Sequence, residues 1–443
     1  MFTASEIAEI THGRLFGADA AVTGVSTDTR TIKQGDLYVA VKGERFDGAD
    51  FIPQAAENGA AAALTERRAD CGIAQIVVND TRKAQLALAN SYRSRFGVKL
   101  CGVTGSVGKT STKDMIYAVL SARYKTLKTE GNFNNDIGLP RTLFGLNDSF
   151  GAAVIEMGMS DLGEISALSR AAAPDCCVIT NIGWCHIANL KTRENILKAK
   201  MEILEGAKSG APLILCGDDE YLRTVRVLNR RVISYGFGEN CEIRAENIEH
   251  LPNGEKFELC YNGRSYPAEV PVSGEHHVLN ALAAFAVGLE FGMEVSEIIP
   301  AFMRYEASGM RQRTEQRDGK TLILDCYNAS PTSMRSSLSV LAGIKAQGRK
   351  IAVLGDMLEL GEMSAQLHAQ VAQYAAASAD VCFLYGEEME HCYNQLKKQG
   401  FEAYHSTDKQ AVIQRLKEYA AQGDIILFKG SRGMKMEEIA EKI

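Results

Sequence analysis

Two rhythms of apolar residues alternate along the chain: compact apolar runs of the kind that make buried strands, and stretches in which apolar residues recur at helical spacing. Up to residue 82 the runs are short, with an alanine-rich helix predicted over 54–63 and a closing strand at 76–78. Beyond it Leu88, Tyr92 and Phe96 share one helical face, and strands are expected at Lys99–Thr104, 152–157, 177–182 and 212–216. Strands separated by helices imply a parallel sheet covered on both faces. Residues 256–261 instead alternate with period two between Asn253-Gly254 and Asn262-Gly263, which predicts an antiparallel hairpin annex. A helix follows with Val278, Leu282, Phe285 and Leu289 on one side. From residue 309 the alternation resumes, with strands expected at 322–324, 351–354, 381–384 and 425–428, each followed by a helical pattern.

Composition narrows the class. The 443 residues are 46% apolar and 23% charged, an ordinary globular balance. A net charge of −6 and the lack of a long basic run argue against nucleic acid as a partner, although a local patch can still hold one phosphorylated small molecule. The eleven cysteines lie scattered from Cys71 to Cys392 without a C-x-x-C pair, several of them (Cys101, Cys176, Cys177, Cys382) in apolar runs. Reduced, buried thiols of a cytosolic enzyme fit this better than disulfides or a zinc site. The first ten residues carry Glu6 and Glu9 rather than a basic-then-apolar leader, and no apolar run approaches the ~20 residues of a membrane span. A cytoplasmic, monomeric protein without membrane insertion is expected.

The sharpest chemical signal is Thr104-Gly105-Ser106-Val107-Gly108-Lys109-Thr110, between a predicted strand and a predicted helix with Met115, Ile116, Val119 and Leu120 on one face. Glycines let the backbone wrap so that N–H groups meet phosphate oxygens, the helix start adds favourable partial charge, Lys109 reaches the terminal phosphates and the Thr110 hydroxyl can hold Mg²⁺. Val103 stands where the longer phosphate-loop pattern has its first glycine, so this is the shorter T-G-x-x-G-K-T form. The expected fold is therefore α/β in three domains: a small α/β N-terminal domain over 1–82, a central parallel-sheet P-loop ATPase domain with a small antiparallel annex over 83–308, and a C-terminal Rossmann-like α/β domain over 309–443.

Other candidates are weaker by themselves. Glu156, at the end of an apolar run, reads equally as a Mg²⁺ ligand or as a strand-end charge in solvent. Lys200, in a helical stretch, reads as a surface lysine, and His186, past a strand end, as a structural histidine.

Five segments in order resemble the Mur ligase superfamily: 104–110; the run Thr129-Glu130-Gly131-Asn132-Phe133-Asn134-Asn135-Asp136-Ile137-Gly138-Leu139-Pro140; Glu156-Met157-Gly158; residues 186–200; and Gly274-Glu275-His276-His277-Val278-Leu279-Asn280-Ala281-Leu282. Further segments resemble the branch that adds a dipeptide: Val25-Ser26-Thr27-Asp28-Thr29-Arg30 with Gly43-Glu44-Arg45-Phe46-Asp47-Gly48, then residues 325–334, 354–357 and 429–437. The resemblance implies an ATP-dependent ligase that joins D-alanyl-D-alanine to UDP-N-acetylmuramoyl-tripeptide in peptidoglycan precursor synthesis. It implies ATP on the phosphate loop, Mg²⁺ on Thr110, Glu156, His186 and Lys200 (two ions in all), and a carbamate formed on Lys200 from CO₂. It places Asn280 at adenine, and Arg311 and Asp325 at the γ-phosphate and ribose. Ser26, Asp28, Arg30, Phe46 and Asp47 would form the pocket for the UDP end; Asn132, Asn134, Asn135 and Asn328 would contact substrate. The catalytic set is then Lys109, Glu156, His186, Lys200 and Arg311, with Arg313 the alternative arginine.

Two departures stand out: Ala49 replaces a histidine common in that branch, and Leu190-Lys191-Thr192 replaces Leu-Gly-Ser. A ligase of the same superfamily with another acceptor, such as one that adds a diamino acid or a folylpolyglutamate synthetase, and a P-loop ATPase that does not ligate are the competing readings; the Asp-Asn-Pro-Arg motif of the diamino-acid ligases is absent.

Overall fold

The computed structural model describes residues 1–43, 45–251 and 253–443. Glu44, in the segment compared above, and Pro252, beside the expected Asn253-Gly254 turn, lie outside the described residues. The chain divides into two compact units of discontinuous segments: 1–103, 124–177 and 201–212 in the first, and 104–123, 178–200 and 213–443 in the second.

In the first unit, a five-stranded sheet has the order Arg14–Phe16, Ala74–Val77, Ala62–Thr65, Asp36–Val39, Gly24–Ser26. All its pairs are parallel except the one made by Arg14–Phe16. Leu37, Val39, Leu64 and Ile76 bury one face of it against Phe2 and Ile7, and Ala84 and Leu88 of the helix Thr81–Arg93 join the same core. That helix ends before Phe96, which continues its aromatic stripe only through a contact with Tyr92. Its last residue, Arg93, is buried and donates to the carbonyls of Ala172 (2.9 Å) and Val98 (3.1 Å), with Asp175 3.2 Å away. The same unit carries three parallel strands in the order Lys99–Thr104, Ala152–Glu156, Thr126–Lys128.

Two expectations fail here for identifiable reasons. The helix expected over 54–63 is confined to Ile52–Glu57, because Gly59 turns the chain at φ +101° and Ala62–Thr65 enters the sheet between two strands. Alanine favours a helix only weakly, and small side chains are what a crowded sheet interior accepts, so tertiary pairing prevails. The strand expected at 177–182 is Cys176–Ile179. Beyond it, Thr180 and Asn181 turn their side chains to the phosphate loop.

The second unit contains the parallel strands Leu213–Cys216 and Val232–Gly236, followed by the annex Ile243–Leu251, Gly254–Tyr261 and Arg264–Val270. The last two strands form an antiparallel hairpin across Asn262 (φ +49°) and Gly263 (φ +72°), the left-handed pair that suits strand twist. The helix Glu275–Glu290 is buried along Val278, Leu282 and Phe285. A six-stranded sheet follows in the order Arg313–Arg317, Lys320–Asp325, Ile425–Lys429, Lys350–Gly355, Val381–Tyr385, Ala403–Ser406, parallel except for the first pair. Its two edge strands were missed because they are polar and half-exposed, without an apolar run. The expected α/β class is what the chain adopts. All eleven cysteines are free thiols, and among the described residues no helix is long and apolar enough to cross a membrane.

Candidate active site

In the second unit the phosphate loop is set by two glycines and a pair of neighbours. Gly105 has φ +146°, and a Cβ there would lie 2.0 Å from Thr180 Oγ1, so only glycine fits. Gly108, at φ +83°, stands at the start of the helix Lys109–Leu120, which no side chain caps. Uncapped N–H groups at a helix start suit an anion. Asn181 holds the loop open: its carbonyl accepts from Ser106 N–H (3.0 Å), its Oδ1 accepts from Val107 N–H (3.0 Å), and its Nδ2 donates to Val107 O (2.9 Å). Thr180 Oγ1 also donates to Val107 O at 2.6 Å. Lys109 Nζ donates to Gly105 O (2.9 Å) and Ser106 O (3.4 Å), while the buried Ser106 Oγ has no hydrogen-bond partner. A buried orphan hydroxyl is costly, and a phosphate oxygen is the kind of group that would satisfy it.

Around this loop, Thr110 is buried, and Asn280 accepts a 2.7 Å hydrogen bond from Thr112. His186 adopts a left-handed backbone (φ +59°) with Nδ1 2.9 Å from a carboxylate oxygen of Glu359; burial pushes its pKa below the ordinary value. Lys200 is 1% exposed, unlike the surface lysine its sequence context suggests. Thr192 accepts from Asn195 N–H at 3.2 Å, so the departure at 190–192 preserves a helix cap. The Arg311 guanidinium lies 4.1 Å from the Tyr327 ring centre, whereas Arg313 is exposed and paired with Glu315 at 3.1 Å. Asp325 and Lys429 end adjacent parallel strands and form a 2.6 Å ion pair, with Lys429 Nζ also donating to Asn328 O at 3.2 Å.

In the first unit Glu156 ends its strand opposite Val103 and is 2% exposed. Its N–H donates to Thr129 Oγ1 (3.0 Å), and its Oε1 accepts from Asn134 Nδ2 (2.8 Å). Gly158 closes around Asn134: its N–H donates to Asn134 O at 2.8 Å, and an added Cβ would stand 2.9 Å from the amide. Asn135 Oδ1 accepts from Gly138 N–H at 2.9 Å, and Asn132 is exposed. Ser26, Asp28 and Arg30 form a self-bonded turn, with Asp28 N–H donating to Ser26 Oγ (3.1 Å) and Arg30 paired to Asp28 (2.7 Å). The Arg30 hydrogen bonds hold the Asp28 pKa down at about 2. Phe46 is 61% exposed, and Asp47 accepts from Ala49 N–H (2.9 Å) and from Arg67 Nε (3.1 Å).

The chain as a whole has counterparts among known proteins. Three family models match: "Mur ligase family, catalytic domain" over residues 21–97, "Mur ligase middle domain" over 103–288, and "Mur ligase, glutamate ligase domain" over 310–432. A Bacillus subtilis protein named UDP-N-acetylmuramoyl-tripeptide--D-alanyl-D-alanine ligase is 40% identical across 100% of this chain and 98% of its own length. The chain belongs to the Mur ligase family. Among solved structures, MurF from Acinetobacter baumannii superposes with a TM-score of 0.92 at 31% identity, covering 99% of this chain and 98% of that one. MurF ligase from Thermotoga maritima, in complex with ADP, superposes with a TM-score of 0.85 at 28% identity over 95% and 97% of the two chains. Like the Mur ligases it matches, this chain is an ATP-dependent ligase.

Several neighbours in this Mur ligase escaped sequence reasoning. Arg67 bridges Asp47 and Asp50, Tyr38 donates to Gly48 O at 3.0 Å, and Arg82 pairs with Asp136 at 2.8 Å. Glu359 meets His186 from the C-terminal sheet region. None carries a local signal, since each becomes relevant only when distant segments fold together.

Proposed function

We propose that this chain joins D-alanyl-D-alanine to the terminal carboxylate of UDP-N-acetylmuramoyl-tripeptide at the expense of ATP, in peptidoglycan precursor synthesis. The observation that carries the reading is full-length kinship, at 40% identity, with a relative bearing that activity in its name. The nucleotide side draws support from the ADP-bound Thermotoga maritima relative and from the phosphate loop with its orphan Ser106 hydroxyl. The division of labour follows the expected domains: 1–82 for the UDP end, 83–308 for ATP, and 309–443 for completing the nucleotide and acceptor sites.

A carboxylate and an amine do not condense spontaneously in water, so the carboxylate must be activated. The γ-phosphoryl group of ATP passes in line to the tripeptide carboxylate, releasing ADP. The neutral amine of D-alanyl-D-alanine attacks the acyl phosphate, and the tetrahedral adduct expels phosphate as the amide forms and a proton leaves. Lys109 and the loop N–H groups offset charge on the polyphosphate, and Arg311 meets the γ-phosphate. Asn280 serves adenine and Asp325 the ribose. Ser26, Asp28, Arg30, Phe46 and Asp47 hold the UDP end, while Asn132, Asn134, Asn135 and Asn328 align the reacting carboxylate and acceptor.

The donors present suit magnesium: a buried Thr110 hydroxyl and a buried Glu156 carboxylate are the oxygen ligands a hard cation takes. Magnesium, when bound, would screen charge between the two anions. Lys200, as a carbamate formed with CO₂, would change from an ammonium that repels the metal into an anionic oxygen donor, with His186 beside it.

Phosphate release from ATP should depend on both UDP-muramoyl-tripeptide and D-alanyl-D-alanine. Equal turnover with single amino acids would reassign the acceptor, and turnover needing neither substrate would leave only an ATPase.

A further inference from the structure

In the second unit a chain of hydrogen bonds runs from the phosphate-loop helix to the segment that carries Arg311. Thr112 Oγ1 donates to Asn280 Oδ1 (2.7 Å), and Asn280 Nδ2 faces His277 Nδ1 at 3.5 Å. His277 Nε2 meets Gln312 Oε1 (3.0 Å), and Gln312 Nε2 meets His276 Nε2 (3.2 Å). A carbonyl oxygen only accepts and an amide nitrogen only donates. His277 must therefore carry its proton on Nε2 and present a bare Nδ1 to the Asn280 amide, while His276 must be bare at Nε2. All donors point one way, and both imidazoles are neutral, the state their desolvation favours.

The end of this chain is conformationally unusual. Gln312 has φ +54°, three residues after Gly309 at φ +68°, so the backbone turns through left-handed conformations before the strand Arg313–Arg317 begins. A long side chain seldom occupies that region unless its surroundings hold it there. The surroundings here are the two imidazoles, tilted 43° to one another with ring centres 4.2 Å apart at the start of the helix Glu275–Glu290. Gly274 makes room for them, since at φ +115° a Cβ would sit 2.6 Å from His276. Arg311, the next residue back from Gln312, lies over Tyr327.

We propose that Gln312 is a positioning residue for the ligase reaction: its amide, gripped by His277 and His276, fixes the turn that presents Arg311 to the transferred phosphoryl group. This rests on the reading of Arg311 as the arginine at the γ-phosphate. Glutamine is required because the grip needs an acceptor and a donor on one side chain; glutamate keeps only the first and methionine neither.

The test uses the full-length enzyme with both substrates and three variants: Gln312→Met, Arg311→Ala and the double. Gln312→Met should lower kcat roughly tenfold or more while KM for ATP stays within about twofold, the signature of a displaced catalytic group. Added to Arg311→Ala it should cost nothing further, because the group it positions is already gone. A merely structural role would lower thermal stability without this non-additivity. The proposal is overturned by a Gln312→Met kcat within about twofold of the parent, or by losses that multiply in the double variant. An unimpaired Arg311→Ala enzyme sinks the Arg311 reading instead, visible because its hydrogen-bond chain is intact. Should Gln312→Met not fold, Gln312→Glu replaces it, with a smaller loss and the same pattern expected.

Discussion

The phosphate loop and the Ser26–Asp47 region are built on opposite principles. At the loop the backbone is the proposed binding surface: Gly105 cannot carry a side chain, Asn181 bonds the backbone of Ser106 and Val107, and the Ser106 hydroxyl is without a partner. In the Ser26–Asp47 region the candidate groups are side chains on exposed turns, and they pair with one another, Arg30 with Asp28 and Arg67 with Asp47. A backbone site is encoded within seven consecutive residues and so is recognisable as a motif. A side-chain site draws partners such as Tyr38 and Arg67 from across the fold, and each of its ion pairs is solvent-screened and individually weak.

That contrast can be broken or sharpened by substitution, in descending order of effect. Lys109→Met should abolish turnover, by roughly a thousandfold or more, because a charge aimed at the polyphosphate cannot be replaced; ATP titration by calorimetry together with phosphate release measures it. Lys200→Ala should be similarly inactive, with partial recovery on adding short carboxylic acids, and near-normal activity would remove the carbamate from the mechanism. Gly105→Ala should weaken ATP binding at least about tenfold and destabilise the fold by roughly 1–3 kcal/mol, since it meets both a clash and a strained φ; denaturant melts with and without ATP separate the two effects. Arg67→Ala should raise KM for UDP-muramoyl-tripeptide a few-fold and leave KM for ATP alone, in keeping with a screened surface pair.

The smallest effect concerns pH. The Asp28 carboxyl is held below its ordinary value in the folded state, so its contribution is complete above about pH 4 and is lost as pH falls towards 2. Asp28 is 38% exposed in its pair, so the contribution should stay within about 0.5 kcal/mol; comparing melting temperatures of Asp28→Asn and the parent between pH 2 and 7 checks it.

The sequence by itself determined the α/β class, the phosphate loop, the NG hairpin and many of the apolar strands, because these depend on local periodicity and on residues that alone permit a given φ. It did not determine Asp36–Val39, Ala62–Thr65 or Val232–Gly236. Tertiary structure decided the rest. Sheet pairing drew Ala62 and Ala63 out of a helix, and Thr180 left its strand to bond the loop. The polar edge strands exist through their neighbours' hydrogen bonds rather than their own pattern. Burial turned Lys200 from an ordinary helix lysine into an interior one, and it brought His276, His277 and Gln312 together from segments far apart in sequence. The physical reason is common to all: backbone preferences of about 1 kcal/mol per residue are read locally, whereas burial and hydrogen-bond satisfaction of larger size depend on partners known only once the chain has folded.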